Sequence, residues 1–237
     1  MATVSEIADR VQLRVIDLPP AIQTETVPMI RRAHRDLQQS ANFPCMRAEL
    51  TLITTAFSPV LGTVGVEELK AWRDKPYTTD DLGNTRFLEI LHSEEPVRRA
   101  YNMEPTLGFG RPKNILVKTG APGDLTAQLQ LEAYPIPDGT NLTATGEYTI
   151  IVPYWRLLLL PASASSDWFT THATEYLVDR ATAELFALNW DEQRSVFWRQ
   201  QSEALRARLI RENARFYSSA GDTLSIYKGG RAAKVRL

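Results

Sequence analysis

His34, His92 and His172 are the only histidines of this 237-residue chain, and Cys45 is its only cysteine. A metal site needs several His, Cys or carboxylate ligands at short, fixed spacing. These histidines stand far apart, each without a second ligand at that spacing, which predicts structural or surface roles, no metal and no cofactor. Cys45 has no base beside it, and the serines lie in no nucleophile elbow. The acidic pairs Glu67-Glu68, Asp80-Asp81 and Glu94-Glu95 are adjacent in sequence, as in solvated turns, and not spaced as a general acid and base. Gly108-Phe-Gly110 begins like a dinucleotide fingerprint but lacks the third glycine and the strand–turn–helix setting. It reads as a turn entering a strand at Lys113. Asn141-Leu-Thr143 matches a glycosylation acceptor, which a chain without a secretion signal would not use.

Two clusters remain. Arg208, Arg211 and Arg215 recur at steps of three and four, one stripe of a helix. The plain reading is a solvated face that complements the negative end of the helix dipole. The sharper one is a contact for DNA or a protein neighbour. In the tail, Leu224, Ile226 and Tyr227 precede Lys228, Gly229, Gly230 and Arg231. That stretch reads either as a frayed terminus or as a docking arm, since it is more apolar than a disordered end requires.

The elements that would position these residues begin with the stretch 167–218. Phe169, Ala173, Tyr176, Leu177, Ala181, Leu185 and Leu188 recur at helical spacing, and so do Trp190, Phe197, Ala204, Leu205, Leu209 and Phe216. Ser166 or Asp167 can cap the first helix; Asn189-Trp190-Asp191 is a tight break, with Asp191 a cap for the second. Two helices joined this tightly form an αα-hairpin. At the other end, Val4, Ile7, Ala8, Val11 and Val15 mark a short helix over 3–17, stopped by Leu18-Pro19-Pro20. A second helix is expected over 24–40, with Pro28 in its first turn.

Between 43 and 166 the helical period disappears. Strands are expected at 47–55, 86–91, 113–118, 127–133 and 147–154, with two helical turns at 66–72 and an ambiguous stretch at 94–104. The fold class is therefore α+β: a four-helix bundle from 1–42 and 167–219, an inserted β-rich domain at 43–166, and an extended arm at 220–237. The formal net charge of -1 gives no global signature for nucleic acid or membrane. Its distribution is uneven, mildly acidic over 43–166 and basic over 221–237. With one cysteine and no long apolar run, the expectation is a soluble protein of a reducing compartment.

In this order the pieces resemble the head-to-tail adaptor proteins of tailed bacteriophages. The segment IQTETVPMIRRAHRDL, from Ile22, resembles the family's second helix. Gly110-Arg-Pro112 leads into a strand. LEAYPIPDG, from Leu131, resembles the family's strand ending in a Pro- and Gly-containing turn, and Ser166-Asp-Trp-Phe169 opens the closing helix pair. The stretch 59–84 is longer than the resemblance implies. The resemblance implies no enzymatic activity and a virion location in the neck. It also implies a homo-oligomeric, dodecameric ring beneath the portal protein, a surface for a tail or nozzle protein, and a lumen that passes DNA without sequence specificity; no membrane partner is expected, since no apolar run approaches a membrane span. On this reading Leu224 to Arg231 dock the portal. Another neck, tail-completion or baseplate-linking protein is the alternative, and a small enzyme with a dispersed site a further one.

Overall fold

Helix α1 (Val4–Arg14) starts at Thr3, where a capping box closes: the Glu6 N–H donates to Thr3 Oγ1 (3.2 Å) and the Thr3 N–H to Glu6 Oε2 (3.0 Å). This computed structural model describes residues 1–65, 68–79, 85–101, 109–119, 128–139 and 147–219. The chain divides into two units, a helical one from Met1–Cys45 and Leu159–Leu237, and a β unit over Met46–Leu158.

In the helical unit, α1 buries Val4, Ile7 and Val11. The single turn α2 (Pro20–Gln23) carries its proline at the first position, where no donor is lost. Helix α3 (Thr26–Ser40) buries Ile30, Ala33, His34, Leu37 and Gln38. The expected first helix of the closing pair is two: α5 (Trp168–His172), capped by Asp167, and α6 (Thr174–Leu188). Helix α7 (Glu192–Ser219) follows, and the Arg194 N–H donates to Asp191 Oδ1. Helix α6 is the centre. It buries Tyr176, Leu177, Val178, Ala181, Thr182, Ala183, Leu185 and Phe186, which face in all directions, because α1, α3 and α7 all pack on it. Ion pairs Arg10–Glu175, Arg14–Asp179 and Arg180–Asp36 fasten α1 and α3 to it.

The expected apolar face of α7 needs correction. Trp190 precedes the helix, and Trp190, Phe197 and Ala204 are exposed. The inward stripe is Ser195 and Ser202, buried, with half-buried Trp198, Leu205 and Leu209. Helix α7 buries only the narrow side it turns to α6, and the Ser202 hydroxyl satisfies itself on the Arg199 carbonyl. Leu188 is likewise exposed, and the side chain of Phe216 lies outside the described residues.

In the β unit, strands β1 (Arg47–Ile53), β9 (Thr149–Arg156), β4 (Tyr77–Thr79) and β5 (Thr85–Phe87) lie in the order β1-β9-β4-β5, and β3 (Leu69–Trp72) also pairs with β9. A second sheet runs β2 (Val60–Gly65), β8 (Gln128–Tyr134), β7 (Asn114–Thr119), β6 (Glu89–Leu91). Only the β6–β7 pair among these is parallel, and α4 (Glu94–Tyr101) lies in the crossover such a pair requires. Leu52, Ile150 and Val152 of the first sheet pack with Val64, Ile115, Leu131 and Ala133 of the second.

Two expectations are overturned. The helical turns at 66–72 are strand β3 from Leu69 on, because pairing with Tyr154, Trp155 and Arg156 overrides local preference. The strand at 86–91 is two strands in different sheets. It bends at Leu88, which is buried in the core and whose N–H donates to the Pro76 carbonyl (2.7 Å). Among the described residues no helix is long and apolar enough to cross a membrane.

Candidate functional site

Helix α7 carries Arg208, Arg211 and Arg215 on solvent-exposed turns. Arg208 Nε donates to Glu212 Oε1 (2.8 Å), a bond that raises the pKa of the guanidinium. Arg211 Nε turns back onto the Ala207 carbonyl (3.2 Å). The stripe is thus interleaved with Glu212 and spends part of its donor capacity on its own helix. Leu224, Ile226, Tyr227, Lys228, Gly229, Gly230 and Arg231 lie outside the described residues.

The histidines have separate surroundings. His34 is buried between Asp167 Oδ2 (2.8 Å from Nε2) and Gln38 Nε2 (2.8 Å from Nδ1), with its ring edge-on to Phe169. Gln38 can only donate there, so Nδ1 accepts and Nε2 carries the proton toward the carboxylate. This is the geometry of a base and its orienting acid, but the side chain is buried on α3 and both ring nitrogens are already engaged, so it acts as a clamp. His172 is exposed and stacks on Trp168 (ring centroids 5.0 Å apart); His92 is exposed. Among the described residues no three His, Cys, Asp or Glu side chains are placed to share a metal ion. Glu94 and Glu95 open α4, paired to Lys118 and Arg99. In the β unit the buried Glu132 takes Lys118 Nζ (2.9 Å), Gln130 Nε2 (3.0 Å) and the Tyr134 hydroxyl (2.8 Å). Burial, then the Glu132 carboxylate, push the Tyr134 phenol up to about 12. Such a cluster holds strands together.

The helical unit also carries a protruding side chain, a knob, and a hollow. The knob is Trp190. Helix α6 ends at Leu188, and the Trp190 N–H donates to the Ala187 carbonyl while the Asp191 N–H donates to Phe186. This is a Schellman turn, whose left-handed position normally belongs to glycine. Trp190 occupies it at φ 60° and is 88% exposed. A left-handed backbone costs a residue with a Cβ about 1–2 kcal/mol, and an exposed indole gains nothing from packing. Exposed Leu188, Val196 and Phe197 stand near it in sequence. The Asp17–Arg194 ion pair brings the chain after α1, with exposed Ile16, to the first turn of α7. The hollow, about 280 Å³, lies where the start of α6 faces the second half of α7. Ala173, Tyr176, Leu205 and Leu209 line it, with Glu175, Arg208 and Glu212 also on its wall.

Sequence reasoning missed Trp190 by assigning it to the apolar face of α7. The signal was present: a tryptophan at the turn position where a helix terminus favours glycine or asparagine.

The β unit has aromatic surface of its own. Phe57 (φ 61°, 71% exposed) meets Phe109 edge-on at 6.0 Å. The Phe57 N–H donates to the Pro137 carbonyl, inside the LEAYPIPDG segment. There β8 ends at Tyr134, a cis peptide joins Tyr134 to Pro135, and Gly139 turns at φ 73°. Gly110 is bonded to Ile136, so the Gly110-Arg-Pro112 turn that leads to β7 lies against the same segment. On the first sheet, Tyr77 and the exposed Phe87 border a cavity of about 400 Å³ with Arg73 and Glu49.

No family model matches the chain, and no curated protein matches it.

Proposed function

We propose that this protein is a head-to-tail adaptor of a tailed bacteriophage. In this reading it forms a homo-oligomeric ring, dodecameric by the resemblance, between the portal protein and a tail or nozzle protein in the virion neck, with a lumen that passes DNA. The observation that carries the reading is the order of parts. Helices from both ends of the chain pack on α6, and a β unit is inserted between them. The LEAYPIPDG segment supplies one strand and its turn within that unit. We take α1, α3, α6 and α7 as a four-helix bundle, and 220–237 as an arm beyond its last helix.

In this reading the arm docks the portal. Leu224, Ile226 and Tyr227 enter pockets or add a strand to the portal surface, and Lys228 and Arg231 meet acidic groups there. Arg208, Arg211 and Arg215 then face a neighbour or the lumen. The test is a chain truncated after Ser219. It keeps its helical circular dichroism, because α7 ends at the cut, and it loses capture by purified portal rings. Capture equal to that of the full chain would refute the arm, and full-length chain that no portal ring captures would refute the adaptor reading.

A further inference from the structure

We infer that Trp190 of one copy inserts into the hollow between α6 and α7 of a second copy, making a head-to-tail contact between like chains. Three observations lead there. First, among the described residues nothing covers the knob. The Schellman bonds at Trp190 are backbone bonds, which glycine would make without strain, and the indole touches solvent. Strain kept at an exposed aromatic points to a use outside the fold. Tryptophan is the residue type most favoured as an anchor at protein interfaces.

Second, the hollow suits an indole in size and chemistry. A cavity of about 150 Å³ accepts a benzene ring; this one is about 280 Å³. Its apolar wall of Ala173, Tyr176, Leu205 and Leu209 takes the ring. Glu175 and Glu212 offer carboxylates to the indole N–H, the one polar group of that side chain. The Arg208 guanidinium can lie over the ring face.

Third, knob and hollow sit at opposite ends of α6, so one molecule cannot satisfy itself. At 1.5 Å per residue, the 15 residues of α6 separate them by about 22 Å. A contact between different patches on identical chains is heterologous and propagates head to tail. It therefore closes a ring or extends a filament. The contact itself stands on these three observations; only its closure into a ring rests on the adaptor reading.

The experiment uses the full-length chain without portal and follows mass by sedimentation velocity as concentration rises. Wild type should grow beyond a dimer, while Trp190→Gly stays monomeric with a melting temperature equal to or above that of wild type. Leu209→Trp fills the hollow with its own indole and should also stay monomeric; Arg208→Trp, at an exposed position, serves if that variant does not fold. Mixing the knobless and plugged variants leaves one usable knob and one usable hollow, so the mixture should stop at a one-to-one dimer. The inference is overturned if wild type stays monomeric at its solubility limit, if Trp190→Gly assembles like wild type, or if the mixture stays monomeric. Assembly lost on truncation after Ser219 but kept in Trp190→Gly would assign the hollow to the tail instead. None of these outcomes depends on whether portal is bound.

Discussion

Asp167 is bonded on three sides. Its Oδ1 accepts from the Thr170 N–H (2.7 Å), its Oδ2 meets His34 Nε2 (2.8 Å), and its own N–H donates to Thr170 Oγ1 (2.8 Å). Burial pushes this carboxyl up, but the bonds from His34 and Thr170 outweigh it and hold the group below the ordinary carboxylate value. A depressed native pKa gives stability that is complete above the unfolded value of about 3.9 and is lost as pH falls through the native one. Asp167→Asn keeps a capping oxygen, so at neutral pH it should destabilise by no more than about 0.5–2 kcal/mol. Its acid limb should be shallower than that of wild type below about pH 4. Urea melts at pH 7 and pH 3 measure both, and equal slopes in the two proteins would show that the clamp is not charged in the way described. The cap could be read from Asp-Trp-Phe-Thr alone. Its partner could not, because His34 lies 133 positions away, and only the packing of α3 beside α5 brings the two together.

At the scale of elements, α6 carries the helical unit. Leu177 is fully buried on it, surrounded by helices. Leu177→Ala should therefore cost about 2–5 kcal/mol, read as a fall in melting temperature. Trp190→Gly, thirteen positions on and on the surface, should cost nothing. A Leu177→Ala protein that melts like wild type would mean α6 is not central. Helices α1 and α3, each with one apolar face, were legible from spacing. Helix α7 was not: its inward stripe uses Ser195 and Ser202, which a hydrophobic period does not count, while exposed Phe197 supplied a false signal. Strand β3 was hidden because its Leu-Lys-Ala-Trp suits a helix as well as a strand, and only pairing with β9 decides. The bend at Leu88 was hidden for a similar reason. A switch between sheets leaves alternation intact on both sides of it.

At the scale of the molecule, the order helices–strands–helices was legible because the helical period holds at both ends and is broken over most of the middle, where among the described residues only α4 interrupts the strands. Which strand pairs with which was not, since β9 gathers β1, β3 and β4 from more than seventy positions earlier in the chain. Charge and composition single out the arginine stripe and the tail in the sequence, and the tail lies outside the described residues. Charge also bears on assembly. Residues 43–166 carry 14 acidic and 11 basic side chains, and 221–237 carry Asp222 against Lys228, Arg231, Lys234 and Arg236. Opposed charges of this kind steer encounter more than they add affinity, and salt screens them within about 8–10 Å. In the adaptor reading, capture by portal should slow as ionic strength rises while the off-rate changes little. Stopped-flow or surface-capture kinetics would measure this, and an on-rate indifferent to salt would remove the electrostatic contribution.

The interrupted helical unit also sets a schedule for synthesis. Helix α3 leaves the ribosome long before α6, the surface it packs on, has been made. At about 5–20 residues per second the 133 positions between His34 and Asp167 take on the order of ten seconds to translate. Through that interval Val4, Ile7, Val11, Ile30 and Leu37 lack the cover that α6 gives their helices, while the strands of Met46–Leu158 emerge and can already pair among themselves. The nascent chain should therefore present an open apolar helix pair to ribosome-bound chaperones until α6 arrives, and α1 and α3 must find α6 as a late step of folding.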